Sequence, residues 1–157
     1  MKSHLKILGH PVHPMLVVFP LGLLVTSVVY DGLFLATKKA DHARTAHKLI
    51  GAGVLGGLVA AASGLVDYAA IPSGTRAKRI GTSHAIGNAV LLALFGASWK
   101  MRRSAPENPS SVALGLSFAG LLLGNVTAWL GGELVYRLGV GVDEGAHLEA
   151  PDSLTHA

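Results

Sequence analysis

The sequence predicts an all-α membrane protein whose four transmembrane helices form an up-down-up-down bundle. Hydrophobic residues make up 50% of the 157-residue chain and charged residues only 14%, against about a quarter charged in soluble domains. Four stretches carry almost no charge, and each approaches the roughly 20 residues that an α-helix needs to cross a bilayer. Because lipid cannot satisfy the edges of an open sheet, these stretches are expected to be helices. We predict helices at about 14–36, 47–71, 81–101 and 111–136.

Four crossings leave no room for a separate soluble domain, so residues 1–157 are expected to form one integral membrane domain with a polar tail at 143–157. A cleaved signal peptide is not expected, since the first apolar stretch is long and lacks a small-x-small cleavage site. An even number of helices places both termini on one side of the membrane. The Lys and Arg count of the short loops leans toward termini on the extracytoplasmic side.

The first helix is preceded by the run Gly-His-Pro-Val-His-Pro at residues 9–14. Imidazole is the commonest metal-binding side chain, and proline restricts the backbone around His10 and His13. The alternative is that both are interfacial histidines before Pro14, a favoured residue in a first helical turn. Within the helix, Pro20 is expected to produce a kink and free a carbonyl.

The second and fourth helices are rich in small residues, which allow the close helix approach that drives association in lipid. The same residues could also leave space for a flat cofactor. They are Gly51, Gly53, Gly56, Gly57, Ala60, Ala61 and Gly64 in the second helix, and Gly120 and Gly124 in the fourth.

The third and fourth helices carry polar residues at four-residue spacing, which places them on one helix face. His84 and Asn88 form such a pair. Asn125, Trp129 and Glu133 continue the same step in the fourth helix, with Tyr136 next along the stripe. These stripes predict a polar seam in the bundle interior.

The up-down topology brings most of the ionisable residues to one end of the bundle. The starts of helices one and three and the ends of helices two and four meet there, bringing His10, His13, Asp67, His84, Glu133 and Tyr136 together. The other end collects Asp31 and His47. Because ionisable groups in membranes usually face the interior and pair, we interpret the first group as a candidate site.

Two kinds of cofactor suit these residues. A haem b could be held by His13 and His84, which lie on diagonal helices, with His10 as a substitute ligand and His47 as a weaker second site. Alternatively, His10, His13 and His84 with Asp67 or Glu133 could bind Zn, Fe or Cu. Asp31, Asn88, Asn125 and Tyr136 would support either site. The chain has no cysteine, which excludes thiolate ligation and covalent haem attachment.

Each residue also has a purely structural interpretation. Asp67 and Glu133 could pair with Arg76 or Arg137. His84 could bond to headgroups or to Asp67, and His47 could pair with Asp31. The basic residues that flank helix ends are expected to contact headgroups, not nucleic acid. They are Arg76, Lys78, Arg79, Lys100, Arg102 and Arg103.

These residues resemble the bacterial membrane family known as domain of unknown function 2231, over roughly residues 5–145. The resemblance implies a four-helix membrane domain, located in the bacterial inner membrane. Because relatives occur fused to Rieske-type or cytochrome-type modules, it also suggests membrane electron transfer. The matching positions are residues 9–14, 19–20, Asp31, His47, Gly64, Asp67, 84–85, Asn88, 131–136 and 139–142.

Three functions follow from this interpretation. The chain could be a haem b or redox-associated subunit that exchanges electrons with a redox protein or quinone. It could bind a non-haem transition metal, or it could be an accessory or anchor subunit of a larger complex or homo-oligomer with no cofactor. No His-Glu-x-x-His or comparable motif is present, so the sequence assigns no catalytic residue. The expected partners are therefore the lipid bilayer and, depending on the function, a redox protein or quinone, or a larger membrane complex or further copies of the chain.

Overall fold

The computed structural model describes residues 1–152 and confirms the four-helix fold. Helix α1 spans Val12–Thr37, α2 Ala40–Ala70, α3 Arg76–Met101 and α4 Ser111–Gly132, and a π-helical turn at Glu133–Arg137 continues α4. Each helix is long and apolar enough to cross a membrane. A short hairpin pairs β1 (Lys6–Ile7) with β2 (His10–Pro11) before α1. Of the expected polar tail, residues 153–157 lie outside the described residues.

Hydropathy locates the apolar parts of the helices better than their polar ends. Helix α2 begins at Ala40, seven residues before the predicted 47, because its first turns are polar and project beyond the apolar span. Asp41 suits the positive end of the helix dipole and pairs with Arg44 at 3.2 Å. Helix α3 begins at Arg76, five residues early, and Thr75 caps it by accepting the backbone N–H of Lys78 at 3.1 Å.

The bundle consists of two antiparallel pairs, α1 with α2 and α3 with α4, joined mainly through α2 and α3. Small residues permit the close contacts. A Cβ on Gly53 would lie 2.6 Å from Leu24 of α1, and one on Gly57 would lie 2.5 Å from Leu92 of α3. Helix α2 therefore packs closely on both neighbours, as its small-residue spacing predicts.

The core is small, and most of the large apolar side chains face outward. Leu24, Val28, Ile50 and Phe95 form the central cluster. Helix α1 continues through the buried Pro20. The outward-facing apolar residues form the lipid-facing surface of a membrane protein; they include Val18, Phe19, Leu21, Leu55, Leu58 and Leu122.

The N-terminal hairpin was not expected from the sequence, because its strands contain only two residues each. Leu8 and Gly9 both have positive φ, of 49° and 80°, as a tight hairpin turn requires. The amino group of Met1 donates to the carbonyl of Gly139 at 3.1 Å, and Gly141 N–H donates to the Met1 carbonyl at 2.9 Å. The N-terminal segment, residues 1–11, is thus bonded to the segment that follows α4. Both lie at the end of the bundle where the predicted site lies.

Candidate functional site

His13, in the first turn of α1, is held by α2. Its Nδ1 lies 2.8 Å from the carbonyl oxygen of Ala60 and 3.3 Å from the hydroxyl of Ser63. Because a carbonyl can only accept, Nδ1 carries a proton, and in the neutral imidazole the lone pair is then on Nε2. A Cβ on Gly64 would lie 2.8 Å from Cε1 of the ring, so the imidazole occupies the space that this glycine leaves.

His84, in α3, repeats this arrangement on α4. Its Nδ1 lies 2.9 Å from the carbonyl oxygen of Thr127, so the proton is again on Nδ1. A Cβ on Gly131 would lie 3.2 Å from Cε1. The amide nitrogen of Asn88 donates to Nε2 at 3.1 Å and to the His84 carbonyl at 2.9 Å. The predicted pairing of His84 with Asp67 is therefore wrong, whereas Asn88 does lie beside His84.

The two histidines come from the diagonal helices α1 and α3 and lie at the same end of the bundle. In each, the Nδ1 proton is bound by a carbonyl of the adjacent antiparallel helix. Histidines that ligate a metal usually donate their other ring N–H in this way. By the chemistry of their donor atoms, the two imidazoles therefore suit a haem iron or part of a smaller metal site.

The two carboxylates of this end are engaged by other residues. Asp67 is buried and accepts from the Ser3 hydroxyl at 2.7 Å and from the His4 backbone N–H at 3.0 Å. Its expected pairing with an arginine is therefore wrong, because Ser3 and His4 of the N-terminal segment donate to its carboxylate instead. Glu133 pairs with Arg76 at 2.5 Å, as one of the structural interpretations expected.

The predicted metal ligands do not come together as one cluster. Within residues 1–152, no group of three or more His, Cys, Asp or Glu side chains is placed to share a metal ion. His10 lies in β2, is exposed, and lines a cleft of about 660 Å³ with Lys2, Lys6 and Asp143. The arrangement of the predicted site residues is therefore best described as a histidine pair.

Most of the polar stripe predicted for α4 faces outward; Glu133, which pairs with Arg76, is the exception. Asn125 is exposed and donates to the Leu121 carbonyl at 2.9 Å, and Tyr136 is 88% exposed. Their interior placement is wrong because α4 turns Ser117, Gly120 and Thr127 inward instead. The four-residue spacing shows which residues share a face, but not which face meets the bundle.

At the other end of the bundle, Asp31 forms a fully buried ion pair with Arg102. The guanidinium donates to both carboxylate oxygens, at 2.5 and 2.8 Å, and both side chains are 0% exposed. Ser117 accepts from Arg102 at 2.7 Å and lies 2.9 Å from Asp31, and Ser98 accepts from Arg102 at 3.1 Å. The expectation that Arg102 contacts headgroups is therefore wrong.

The sequence contained one signal for this ion pair. Asp31 lies in an apolar span and needed a positive partner, and Ser98 and Arg102 are four residues apart on one face of α3. The neighbouring Lys100 and Arg103 concealed this signal, because three basic residues together are typical of a membrane interface.

His47 does not pair with Asp31, whose oxygens accept from Arg102. It stacks on Trp99, with ring centroids 5.7 Å apart and planes 4° apart. Its Nδ1 is buried and has no hydrogen-bond partner among residues 1–152.

Comparison with known proteins gives a family and nothing finer. No curated protein and no solved structure shows detectable similarity to the chain. The model of one family, described as "Predicted membrane protein (DUF2231)", matches residues 9–144, which include both histidines and all four helices. The chain belongs to this DUF2231 family of membrane proteins.

Proposed function

We propose that the protein is a membrane subunit for electron transfer in which His13 and His84 would hold one haem b. The observation that carries the proposal is that both imidazoles are bound in the same way. In each, Nδ1–H donates to a backbone carbonyl, and the Nε2 lone pair is directed away from that bond. We place the protein in the bacterial inner membrane with extracytoplasmic termini, and its electron partner would be a redox protein or a quinone.

The helix arrangement supports this ligand pair. Cofactor sites in helix bundles are built from side chains on facing helices, and α1 and α3 are the diagonal pair. Each histidine is also fixed to the helix beside it, since His13 bonds to Ala60 of α2 and His84 to Thr127 of α4. The ligands would therefore keep their orientation without the cofactor.

The protein's own residues would set the chemistry of the bound group. Haem b supplies a one-electron carrier, and with no cysteine in the chain it would be held without covalent attachment. Because the carbonyls of Ala60 and Thr127 accept the Nδ1 protons, each Nε2 would be a more basic ligand and donate its electron pair to iron more strongly. Asn88 donates to Nε2 of His84 and would give up that bond to the iron.

An absorption spectrum tests this proposal. Protein produced in cells supplied with haem should show a Soret band, and a pyridine haemochrome assay should give haem b. His13→Ala and His84→Ala should each abolish the band, while His42→Ala, at the opposite end of the bundle, should retain it. Colourless wild-type protein, or unchanged spectra in both site variants, would refute haem ligation.

The same histidines favour a non-haem metal site as a second candidate. His10, which lies three residues before His13, is the third imidazole that the sequence predicts for such a site, while Asp67 and Glu133 are bound by other residues. Zn, Fe and Cu all accept such ligands. Stoichiometric metal by elemental analysis, lost in His13→Ala and without a haem spectrum, would favour this candidate.

The hydrogen bonds also favour a third candidate, an accessory or anchor subunit without a cofactor. His13 and His84 each cross-link two helices, and this role needs no ligand. If the protein is such a subunit, we expect a partner protein or further copies of the chain to co-purify in mild detergent. We also expect the alanine variants to lower thermal stability without changing any spectrum.

A further inference from the structure

An apolar groove opens between α2 and α3, at the end of the bundle opposite the histidine pair. It encloses about 150 Å³ and extends along α2 for about 10 Å, or two helical turns. Its walls are formed by Gly51, Val54, Leu55, Leu58 and Trp99. A groove of this shape and composition suits a hydrocarbon chain that lies along the helix.

Contacts on several sides hold the Trp99 wall in place. Its ring stacks on His47, and a Cβ on Gly51 would lie 2.6 Å from its Nε1, so the indole packs directly on the α2 backbone. The guanidinium carbon of Arg103 lies 5.3 Å from the Trp99 ring centroid. The indole therefore closes the groove and holds a cation beside it.

A second cation stands on the same side of α2. Lys48 precedes Gly51 by three residues and Leu55 by seven, so it lies on the groove face one turn closer to the membrane surface, and it is exposed. The polar end of the groove therefore lies near Lys48 of α2 and near Arg103, which follows the end of α3 and contacts Trp99.

These two cations lack the acidic partners that their neighbour has. Arg44, one turn before Lys48, pairs with Asp41 at 3.2 Å and lies 3.8 Å from Glu107. Within residues 1–152, neither Lys48 nor Arg103 forms a salt bridge. The groove is thus lined by apolar residues, and the two cations near its polar end have no acidic partner among residues 1–152.

We propose that this groove binds an anionic phospholipid, with one acyl chain along Gly51–Leu58 and the phosphate between Lys48 and Arg103. Basic pockets between transmembrane helices bind anionic headgroups because the charge attraction adds to the burial of the chain. A quinone would fill the apolar part equally well, but its neutral ring would leave the two cations uncompensated.

Trp99 is itself a reporter of this site, because the sequence holds two tryptophans and Trp129 lies on the exposed face of α4. In Trp129→Phe protein, brominated phosphatidylglycerol in phosphatidylcholine vesicles should quench Trp99 at a lower mole fraction than brominated phosphatidylcholine. Lys48→Gln should weaken this preference about fivefold, the usual effect of one basic residue at an anionic surface. Lys48→Gln with Arg103→Gln should abolish it.

Three controls make the experiment decisive. Lys38→Gln with Lys39→Gln removes two charges at the same membrane face but well before the groove, and it should leave the preference unchanged. Trp99→Phe protein, read through Trp129, should show no preference. Lys48→Gln alone keeps the Arg103–Trp99 contact, so a lost preference in that variant does not reflect a displaced indole.

Equal quenching of Trp99 by the two brominated lipids would overturn the proposal. So would an equal loss of preference in the Lys38 and Lys39 control, because the effect would then come from general surface charge. Saturable quenching by a short-chain quinone in phosphatidylcholine vesicles, with no preference for phosphatidylglycerol, would assign the groove to a quinone and would also overturn it.

Discussion

The guanidinium of Arg102 binds both carboxylate oxygens of Asp31 in the interior of the bundle, where neither side chain reaches solvent. The pair connects α1 to the end of α3, and Ser117 adds α4 by contacting both charged groups. The packing of three helices against one another therefore depends on one polar cluster. In a low-dielectric interior such a cluster stabilises the fold only while both charges are present.

Removing one member of this pair should strongly destabilise the protein. Asp31→Asn leaves the Arg102 charge buried without its counter-ion, and we expect the free energy of unfolding to fall by about 3–5 kcal/mol. Denaturant-induced unfolding in detergent micelles measures the change. The matched control is Asp41→Asn, which breaks the exposed pair with Arg44 and should cost at most about 1 kcal/mol.

Removing both charges should be much less harmful than removing one. Asp31→Leu combined with Arg102→Leu leaves no uncompensated charge, so the double variant should recover most of the stability lost in Asp31→Asn. Additive losses in the double variant would show that the two side chains contribute independently, contrary to the bidentate geometry.

Gly64 should be required for the orientation of His13. In Gly64→Ala, the added Cβ would lie 2.8 Å from Cε1 of His13, so the ring must move away from the Ala60 carbonyl. We expect a loss of about 1–3 kcal/mol from overpacking, together with a changed Nδ1–H resonance in NMR spectra. Gly22→Ala is the control, because nothing lies within 4 Å of the Cβ it adds. An unchanged His13 resonance in Gly64→Ala would contradict the packing.

The sequence was sufficient for the fold because helix existence in a membrane depends on length and apolarity, and both can be counted directly. It also brought His13 and His84 to the same end of the bundle. It could not find the partner of Asp67, because Ser3 precedes a hairpin whose two-residue strands have no detectable periodicity. Nor could it orient α4, since Asn125 and Thr127 are both compatible with a polar seam and only packing turns Thr127 inward.

Asp67 should hold the N-terminal segment on the bundle. In Asp67→Ala, the His4 N–H loses its acceptor and the Ser3 hydroxyl keeps only the Leu5 carbonyl, at 3.1 Å. Hydrogen bonds to a charged group contribute about 1.5–3 kcal/mol, so we expect a loss of this order. Hydrogen exchange of the His4 amide should become faster, while the amides of α3 remain protected. Glu133→Ala removes a carboxylate at the same end and should leave His4 exchange unchanged. Equal exchange of the His4 amide in both variants would show that Asp67 does not anchor the segment.

The contact between the N-terminal segment and the segment after α4 should weaken in acid. The Gly145 backbone N–H, and then Lys2 and Lys6, hold the pKa of Asp143 below its usual value, partly opposed by desolvation. A lowered pKa means that the folded protein favours the charged carboxylate, so the stabilisation is complete above the ordinary aspartate pKa and is lost as the pH falls through the lowered value. The Gly145 amide resonance should shift across this range, together with the side-chain amines of Lys2 and Lys6, each 3.4 Å from the carboxylate. Asp143→Asn should remove the titration while leaving the helices unchanged. A transition at or above the ordinary aspartate value would contradict these contacts, because only a group whose charged form is favoured by folding titrates at a lower pH.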